Sequence, residues 1–177
     1  MILGDYFDRI NDNYKKIFFS NISFNNNQVK KNYIFFAIKG NKVDGNNFIP
    51  SVVKKGCKII VTEKNFDELE NGVLFIKTKN IRKLLAQISF SIFKKKPNNL
   101  IAVTGTNGKS SVSDFYYQIL NLNHKKVGSI GTLGVRSNKF NLNLLNTTID
   151  PIHLGKILNE LKKRKIENVI MEASSHG

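Results

Sequence analysis

Short apolar runs alternate with segments of helical spacing in the first half of the chain. Residues 33–38, 58–62 and 73–76 are apolar runs of strand length, so they predict three buried strands. Apolar residues at helical spacing between the first two runs, followed by Gly56 in the position of a helix C-cap, predict a helix. Residues 81–92 place their apolar side chains on one face and predict an amphipathic helix. The pattern indicates a small α/β domain.

The second half of the chain begins with a predicted strand, a glycine-containing loop and a helix. Residues 100–104 are branched and apolar, and the loop GTNGKSS follows them. Apolar residues at helical spacing then predict a helix whose stripe packs on a sheet. The stripe consists of Val112, Phe115, Tyr116, Ile119 and Leu120. Residues 127–130 and 168–173 predict two further strands, and Asp150-Pro151 predicts a helix start between them.

Strands that alternate with helices predict an α/β fold with a mostly parallel sheet and helices on both of its faces. The two halves separate at the polar, proline-containing stretch 94–99. We therefore expect a small N-terminal α/β domain over residues 1–97 and a P-loop domain over residues 98–177. We expect this second domain to be incomplete, because the sequence ends shortly after a predicted strand.

Composition narrows the class of protein. No apolar run reaches the roughly 18 residues that a membrane-spanning helix needs, and the N-terminus lacks the features of a signal peptide. The single cysteine, Cys57, lies in an apolar run and is predicted to be buried. The net charge of +15 comes from lysines in short, scattered clusters. We expect a cytoplasmic monomer with no membrane insertion and no nucleic-acid partner.

The strongest local motif is AVTGTNGKSS, over residues 102–111. Its glycines let the backbone turn tightly, so that amides and the start of the next helix face a phosphate chain. Lys109 would reach the β- and γ-phosphates, and the Ser110 hydroxyl would bind Mg²⁺. The general P-loop pattern requires glycine at position 103, where this chain has Val103. The predicted nucleotide contacts are Gly105, Thr106, Asn107, Gly108, Lys109, Ser110 and Ser111.

This loop, with valine and threonine before it, resembles the ATP-binding loop of the Mur ligases and of their relative folylpolyglutamate synthase. Residues 131–134 (GTLG) are similar to a short segment after the second strand of this family. Residues 146–151 (NTTIDP) and 171–177 (MEASSHG) resemble segments of the branch that adds the third amino acid to the peptidoglycan precursor. Residues 35–48 are similar to the family's F-V-A-x-x-G…DG…F stretch.

The resemblance implies an ATP-dependent ligase with ATP and Mg²⁺ as cofactors. Such an enzyme activates the D-glutamate carboxylate of UDP-N-acetylmuramoyl-L-alanyl-D-glutamate as an acyl phosphate. It then attaches a diamino acid, which we expect to be meso-diaminopimelate, with lysine as the less favoured alternative. Lys109 and Glu172 are the implied catalytic residues, with Glu172 beside Ser110 on the metal. The implied contacts to the UDP-muramoyl-peptide are Phe24, Asn26, Asn41, Asp44, Asn146, Thr147, Thr148 and Ser174.

The chain also departs from the family. Asn25-Asn26-Asn27 stands where the family has D-S-R, so the arginine's charge is missing from that loop. The resemblance covers essentially the whole chain, which corresponds to roughly the first third of a family member. The family's carbamylated lysine and its C-terminal domain have no counterpart in this sequence. We therefore expect the 177-residue chain to be inactive as a ligase on its own.

Three other interpretations remain at this point. Folylpolyglutamate synthase shares the loop, although the NTTIDP segment and the separate N-terminal domain disfavour it. A non-catalytic module that binds nucleotide and UDP-sugar would fit an incomplete second domain. The third interpretation, a basic nucleic-acid-binding NTPase, is supported by the charge and the phosphate loop alone.

Overall fold

The computed structural model describes residues 1–143 and 149–173. The chain divides into two compact units, Met1–Ile92 and Phe93–Gly177, whereas the sequence predicted a boundary after residue 97. Each unit has its own sheet with mainly parallel strands, which confirms the predicted α/β class. No helix within the described ranges combines the length and the apolar character required to cross a bilayer.

The first unit contains a five-stranded sheet of order β1-β2-β3-β5-β4, in which only β4 runs antiparallel to its neighbour. Its strands are β1 (Asn21–Ser23), β2 (Tyr33–Phe36), β3 (Ile59–Thr62), β4 (Leu69–Glu70) and β5 (Val73–Lys77). Its helices are α1 (Asp12–Lys15), α2 (Ile49–Lys54) and α3 (Ile81–Ile92). Two short 3₁₀ turns, Leu3–Asp5 and Gly45–Phe48, complete the unit.

Burial on both faces of the central strands shapes this unit. All four residues of β3 are buried, as are the last three of β2, which is typical of parallel strands covered on both sides. The three predicted strands and both predicted helices are confirmed, and Gly56 follows α2 with a φ of 85°. Cys57 is fully buried as predicted, and its burial raises the pKa of the thiol. The three-residue strand β1 was not predicted.

The second unit contains a four-stranded sheet of order β6-β9-β7-β8. Its strands are β6 (Asn99–Val103), β7 (Val127–Gly131), β8 (Gly134–Ser137) and β9 (Asn168–Glu172), and its helices are α4 (Lys109–Leu122) and α5 (Pro151–Lys163). Strands β6, β9 and β7 are parallel, and β8 returns antiparallel to β7. Asp150 caps α5 by accepting hydrogen bonds from the amides of Ile152 and His153, as its position before Pro151 predicted.

Helix α4 packs on the sheet as predicted, but the predicted burial of its apolar stripe is wrong for three of the five residues, and Tyr116 and Leu120 are half-buried. The side chains of Val112, Phe115 and Ile119 are exposed, and Ser113 is the one α4 residue that is buried. An ion pair lies on the other side of the helix. The Arg136 guanidinium of β8 binds an Asp114 carboxylate oxygen on α4 at 2.8 Å and also lies over the ring of Tyr117, 4.7 Å from its centroid. The side of α4 that faces β8 therefore carries polar contacts.

The orientation of α4 can be tested by truncating one of its apolar side chains. Phe115 is 62 % exposed, so Phe115→Ala should change the free energy of unfolding by no more than about 0.5 kcal/mol. Leu161 on α5 is 0 % exposed, and Leu161→Ala in the same unit should cost about 2–5 kcal/mol. Urea unfolding followed by far-UV circular dichroism measures both. Similar losses in the two variants would mean that the stripe is buried after all.

Candidate functional site

The predicted phosphate loop joins the end of β6 to the start of α4. Gly105 has a φ of 148° and Gly108 a φ of 80°, backbone conformations that residues with a side chain rarely adopt. Gly108 is the residue before the first turn of α4, a helix of 14 residues, so the loop delivers the chain directly to a helix N-terminus. Free amides and the positive end of the helix dipole favour an anion at this position.

The Lys109 side chain folds back over the loop. Its ammonium donates hydrogen bonds to the carbonyl oxygens of Gly105, at 2.6 Å, and Thr106, at 3.3 Å. These contacts hold a positive charge directly above the turn. A phosphate in the loop would offer the ammonium anionic oxygens in place of the neutral carbonyls, which adds the attraction of an ion pair to the hydrogen bonds.

Glu172 connects the phosphate loop with the turn after β7. Its carboxylate accepts a hydrogen bond from the Ser110 hydroxyl at 2.9 Å. It also accepts from the Thr132 amide at 3.2 Å and from the Thr132 hydroxyl at 3.1 Å. Because β9 lies between β6 and β7 and all three are parallel, their carboxyl ends meet at one edge of the sheet. Three segments far apart in the sequence therefore converge on one carboxylate.

Gly131 leaves the space that the Glu172 side chain occupies. A Cβ atom at position 131 would lie 2.1 Å from Oε1 of Glu172 and 2.5 Å from its carboxylate carbon. At Gly128, on the same strand, the nearest atom to an added Cβ would be 3.4 Å away, an ordinary contact. Gly131, the first glycine of the GTLG segment, thus has a defined role: because it lacks a side chain, the Glu172 carboxylate can lie against the end of β7.

The oxygen atoms at this edge fit a magnesium ion. Mg²⁺ prefers hard oxygen ligands and is usually held by one or two carboxylates together with substrate phosphates and water. The Ser110 hydroxyl and the Glu172 carboxylate already lie within hydrogen-bonding distance of each other, so one cation could contact both. In the described ranges no three histidine, cysteine, aspartate or glutamate side chains form a cluster able to bind a metal by themselves. Ser110 and Glu172 supply two oxygen ligands, so a cation bound here would take its remaining ligands from water and phosphate.

The first unit places its four predicted substrate residues in the connections that leave two neighbouring strands. Phe24 and Asn26 follow β1, and Asn41 and Asp44 follow β2. The strands β1 and β2 are parallel neighbours, so these connections begin at the same edge of the sheet. Phe24 and Asn41 are exposed. The arrangement is compatible with a ligand across the edge, and the individual contacts stay predictions.

The Asn25-Asn26-Asn27 turn is built by its own side chains. Oδ1 of Asn25 accepts a hydrogen bond from the Asn27 amide at 2.9 Å, a turn that an aspartate would form in the same way. Replacing aspartate by asparagine therefore preserves the shape of the loop. A cation also reaches this turn from elsewhere, because the Lys55 ammonium donates to the Asn26 carbonyl oxygen at 2.7 Å.

Asp44 is held by partners inside its own unit. One carboxylate oxygen accepts from the backbone and side-chain nitrogens of Asn46, at 2.9 and 2.7 Å. The other lies 3.0 Å from the Lys64 ammonium. The hydrogen bonds from Asn46, followed by the Lys64 contact, lower the pKa of Asp44 from 3.8 to about 2. The predicted ligand contact of Asp44 stays a prediction, and its observed contacts fix the loop after β2.

Four predicted contacts lie outside the described residues. They are Asn146, Thr147, Thr148 and Ser174. One residue of the site was missed, because Thr132 was noted only as part of the GTLG segment and had no role assigned to it. Its position directly after a glycine at a predicted strand end was the available signal.

Two family models match the chain. The model described as "Mur ligase family, catalytic domain" matches residues 19–91, and the one described as "Mur ligase middle domain" matches residues 103–177. The first match lies within the first compact unit and the second within the second unit.

Curated relatives give the same result. The chain is 40 % identical over 161 residues to UDP-N-acetylmuramoyl-L-alanyl-D-glutamate--2,6-diaminopimelate ligase of Rickettsia conorii (strain ATCC VR-613 / Malish 7), covering 88 % of this chain and 33 % of the relative. It is 35 % identical over 166 residues to the protein of that name from Alkaliphilus metalliredigens (strain QYMF), covering 92 % of this chain and 33 % of the relative. The chain spans about a third of the length of these curated relatives.

Solved structures share the fold. A UDP-N-acetylmuramoyl-L-alanyl-D-glutamate--2,6-diaminopimelate ligase matches with a TM-score of 0.81 at 21 % identity, over 100 % of this chain and 36 % of that one. The MurF ligase from Thermotoga maritima in complex with ADP matches with a TM-score of 0.57 at 21 % identity, over 88 % of this chain and 32 % of that one. At this identity the likeness concerns the fold.

The lowered pKa of Asp44 predicts how the first unit responds to acid. The unfolded chain takes up a proton near pH 3.8, before the folded chain does at about pH 2. The stabilisation is therefore complete above about pH 4 and lost as the pH falls through 2. Urea unfolding at several pH values should show this loss in the wild type and not in Asp44→Asn. Lys64→Met should keep most of it, because the Asn46 hydrogen bonds contribute most. Equal slopes in wild type and Asp44→Asn would contradict the assignment.

Proposed function

Because the chain belongs to the Mur ligase family, we propose that it binds ATP in its second unit and UDP-N-acetylmuramoyl-L-alanyl-D-glutamate in its first. The proposed reaction of the whole protein is the ATP-dependent addition of meso-diaminopimelate to that precursor. The observation that carries the proposal is the contact of Ser110 with Glu172 at the mouth of the phosphate loop. The names of these relatives support diaminopimelate as the amino acid.

The proposed chemistry has two steps. A carboxylate oxygen of the D-glutamate attacks the γ-phosphorus of ATP, and the bond from that phosphorus to the bridging oxygen of ADP breaks. The amine of the diamino acid then attacks the carbonyl carbon of the acyl phosphate and gives up a proton. The carbon–oxygen bond to phosphate breaks, which leaves an amide, ADP and phosphate. Phosphoryl transfer of this kind needs positioning and charge neutralisation more than a protein nucleophile.

The residues of the second unit supply positioning and charge. The amides of the loop and of the first turn of α4 would bind the phosphate oxygens. Lys109 would exchange the carbonyls of Gly105 and Thr106 for the β- and γ-phosphates. Ser110 and Glu172 would hold Mg²⁺, and Thr132 would keep the Glu172 carboxylate aimed at the loop through its two hydrogen bonds. Mg²⁺, when bound, neutralises the charge that develops on the transferred group.

The two halves of the proposal can be separated with one variant. Isothermal titration of the purified chain should show binding of ATP with Mg²⁺ and of UDP-N-acetylmuramoyl-L-alanyl-D-glutamate. Lys109→Ala should weaken ATP binding by about 10- to 100-fold, because a charge-assisted contact is lost. Binding of the UDP precursor should be unchanged, since Lys109 belongs to the other unit. A wild-type chain that binds neither ligand would refute the proposal.

The role of Gly131 gives a second test. The Cβ of Gly131→Ala would displace the Glu172 carboxylate, which is the end of a flexible side chain, so the fold should survive. In this variant, the factor by which Mg²⁺ raises ATP affinity should be at least about tenfold smaller than in the wild type, as when a contact that orients a metal ligand is removed. ATP affinity in EDTA should stay within about twofold.

Gly128→Ala on the same strand is the matched control and should behave as the wild type, because its Cβ meets only ordinary contacts. If both variants lose the magnesium effect, the loss comes from a disturbance of β7 as a whole and not from displacement of Glu172.

A further inference from the structure

The Ser113 hydroxyl has no hydrogen-bond partner. Among the described residues it is the one buried side-chain oxygen or nitrogen in this situation. Ser113 is 4 % exposed, so water outside the protein does not satisfy the hydroxyl either. A buried serine on a helix usually donates to the carbonyl four residues earlier, as Ser89 on α3 does to Leu85 at 2.7 Å. An unpaired buried hydroxyl is costly, and buried polar groups of this kind often bind an ordered water.

Ser113 lines a small cleft between α4 and the sheet. The cleft has a volume of about 10 Å³, close to the minimum that one water molecule needs. Its lining is mixed. Ile130 and Leu133 supply apolar walls, and the polar groups come from Ser110, Ser113, Asp114, Ser129, Arg136 and Glu172. The cleft therefore joins the unpaired hydroxyl to both residues that would hold the cation.

We propose that the Ser113 hydroxyl holds one water molecule in this cleft, and that this water donates a hydrogen bond to Oε1 of Glu172, the carboxylate oxygen that accepts from one donor, the Thr132 amide. Ser113 is then a positioning residue for the cation site, acting through the water on Glu172. The proposal rests on the proposed nucleotide function, because it concerns the cation that accompanies ATP.

The hydrogen-bonding capacity of Glu172 leaves room for such a water. A carboxylate has about four lone-pair positions, and the structure gives Glu172 three donors, two from Thr132 and one from Ser110. A cation would displace the Ser110 proton from this set, since the hydroxyl would then turn its lone pair to the metal. A water bound to Oε1 would keep the carboxylate in place when the cation binds.

Packing around the cleft favours a water over a protein rearrangement. The Asp114 carboxylate beside Ser113 is engaged by Arg136 at 2.8 Å, and Arg136 is held in turn over the Tyr117 ring. Neither side chain is free to turn toward the Ser113 hydroxyl. The size of the cleft and the polar groups in its mixed lining fit a single solvent molecule.

Two variants of the 177-residue chain separate hydrogen bonding from packing. Ser113→Ala removes the hydroxyl, and Ser113→Cys keeps a side chain of similar size that is a weak hydrogen-bond donor. Ser89→Ala is the control for removing a buried helical serine that already has a partner. The measurements are the midpoint of thermal unfolding without ligand, and the affinity for ATP in EDTA and in Mg²⁺.

We expect Ser113→Ala and Ser113→Cys to lower the unfolding midpoint and to reduce the ratio of the two ATP affinities by roughly three- to tenfold. ATP affinity in EDTA should stay within about twofold. Ser89→Ala should leave the ratio unchanged. A higher midpoint for Ser113→Ala would show that the hydroxyl is unpaired in solution and would overturn the proposal. An unchanged ratio, or its recovery in Ser113→Cys, would also overturn it.

These outcomes are distinct from failure of the proposed function. A wild-type chain that binds no ATP would refute the nucleotide function and with it the role of Ser113. A wild-type chain that binds ATP with a clear magnesium effect, beside variants that keep that effect, would refute the role of Ser113 alone.

Discussion

The carboxylate of Glu172 is held where three parallel strands end, and the geometry of the phosphate site depends on that position. Strand β9 lies between β6, which leads into the loop, and β7, which leads into the turn at Thr132. Its last residue, Glu172, therefore contacts both segments, the loop through Ser110 and the turn through Thr132. A one-residue change of register would turn Glu172 to the opposite face of the sheet, where neither Ser110 nor Thr132 could reach it. Gly131 completes the arrangement, because any larger residue would occupy the space of the carboxylate.

The local elements of the site could be predicted from the sequence because each is determined by nearby residues. Branched apolar runs gave β2, β3 and β9 to within two residues, and Asp150-Pro151 marked the start of α5. The glycine loop was recognisable because its φ angles need glycine at Gly105 and Gly108. The convergence of Ser110, Thr132 and Glu172 came from strand order, which local periodicity does not contain. Thr132 was missed for that reason, and β1 was missed because three residues are too few to show a period.

In the first unit, two loops make contacts that the charges of their own residues do not predict. The Asn25-Asn26-Asn27 turn lacks the arginine charge that the family carries at this loop. The structure shows that Asn25 preserves the turn through the Asn27 amide, and that Lys55 brings a cation to the Asn26 carbonyl from another element. Asp44 gives the opposite case, since a residue expected to contact substrate has both carboxylate oxygens engaged within the unit. The chemistry of a loop thus depends on the elements packed beside it as well as on its own residues.

Helix α4 was the least predictable element, and the reason is physical. Its apolar stripe has the helical spacing that normally marks a face buried on a sheet, yet Phe115 and Ile119 are exposed and Ser113 faces inward. Periodicity locates a stripe but does not say which partner it meets. At the start of α4 the loop fixes the rotation of the helix, because Ser110 must reach Glu172, and three residues later the same face carries Ser113. The polar inner face of α4 is therefore a direct consequence of placing a serine hydroxyl at the phosphate site.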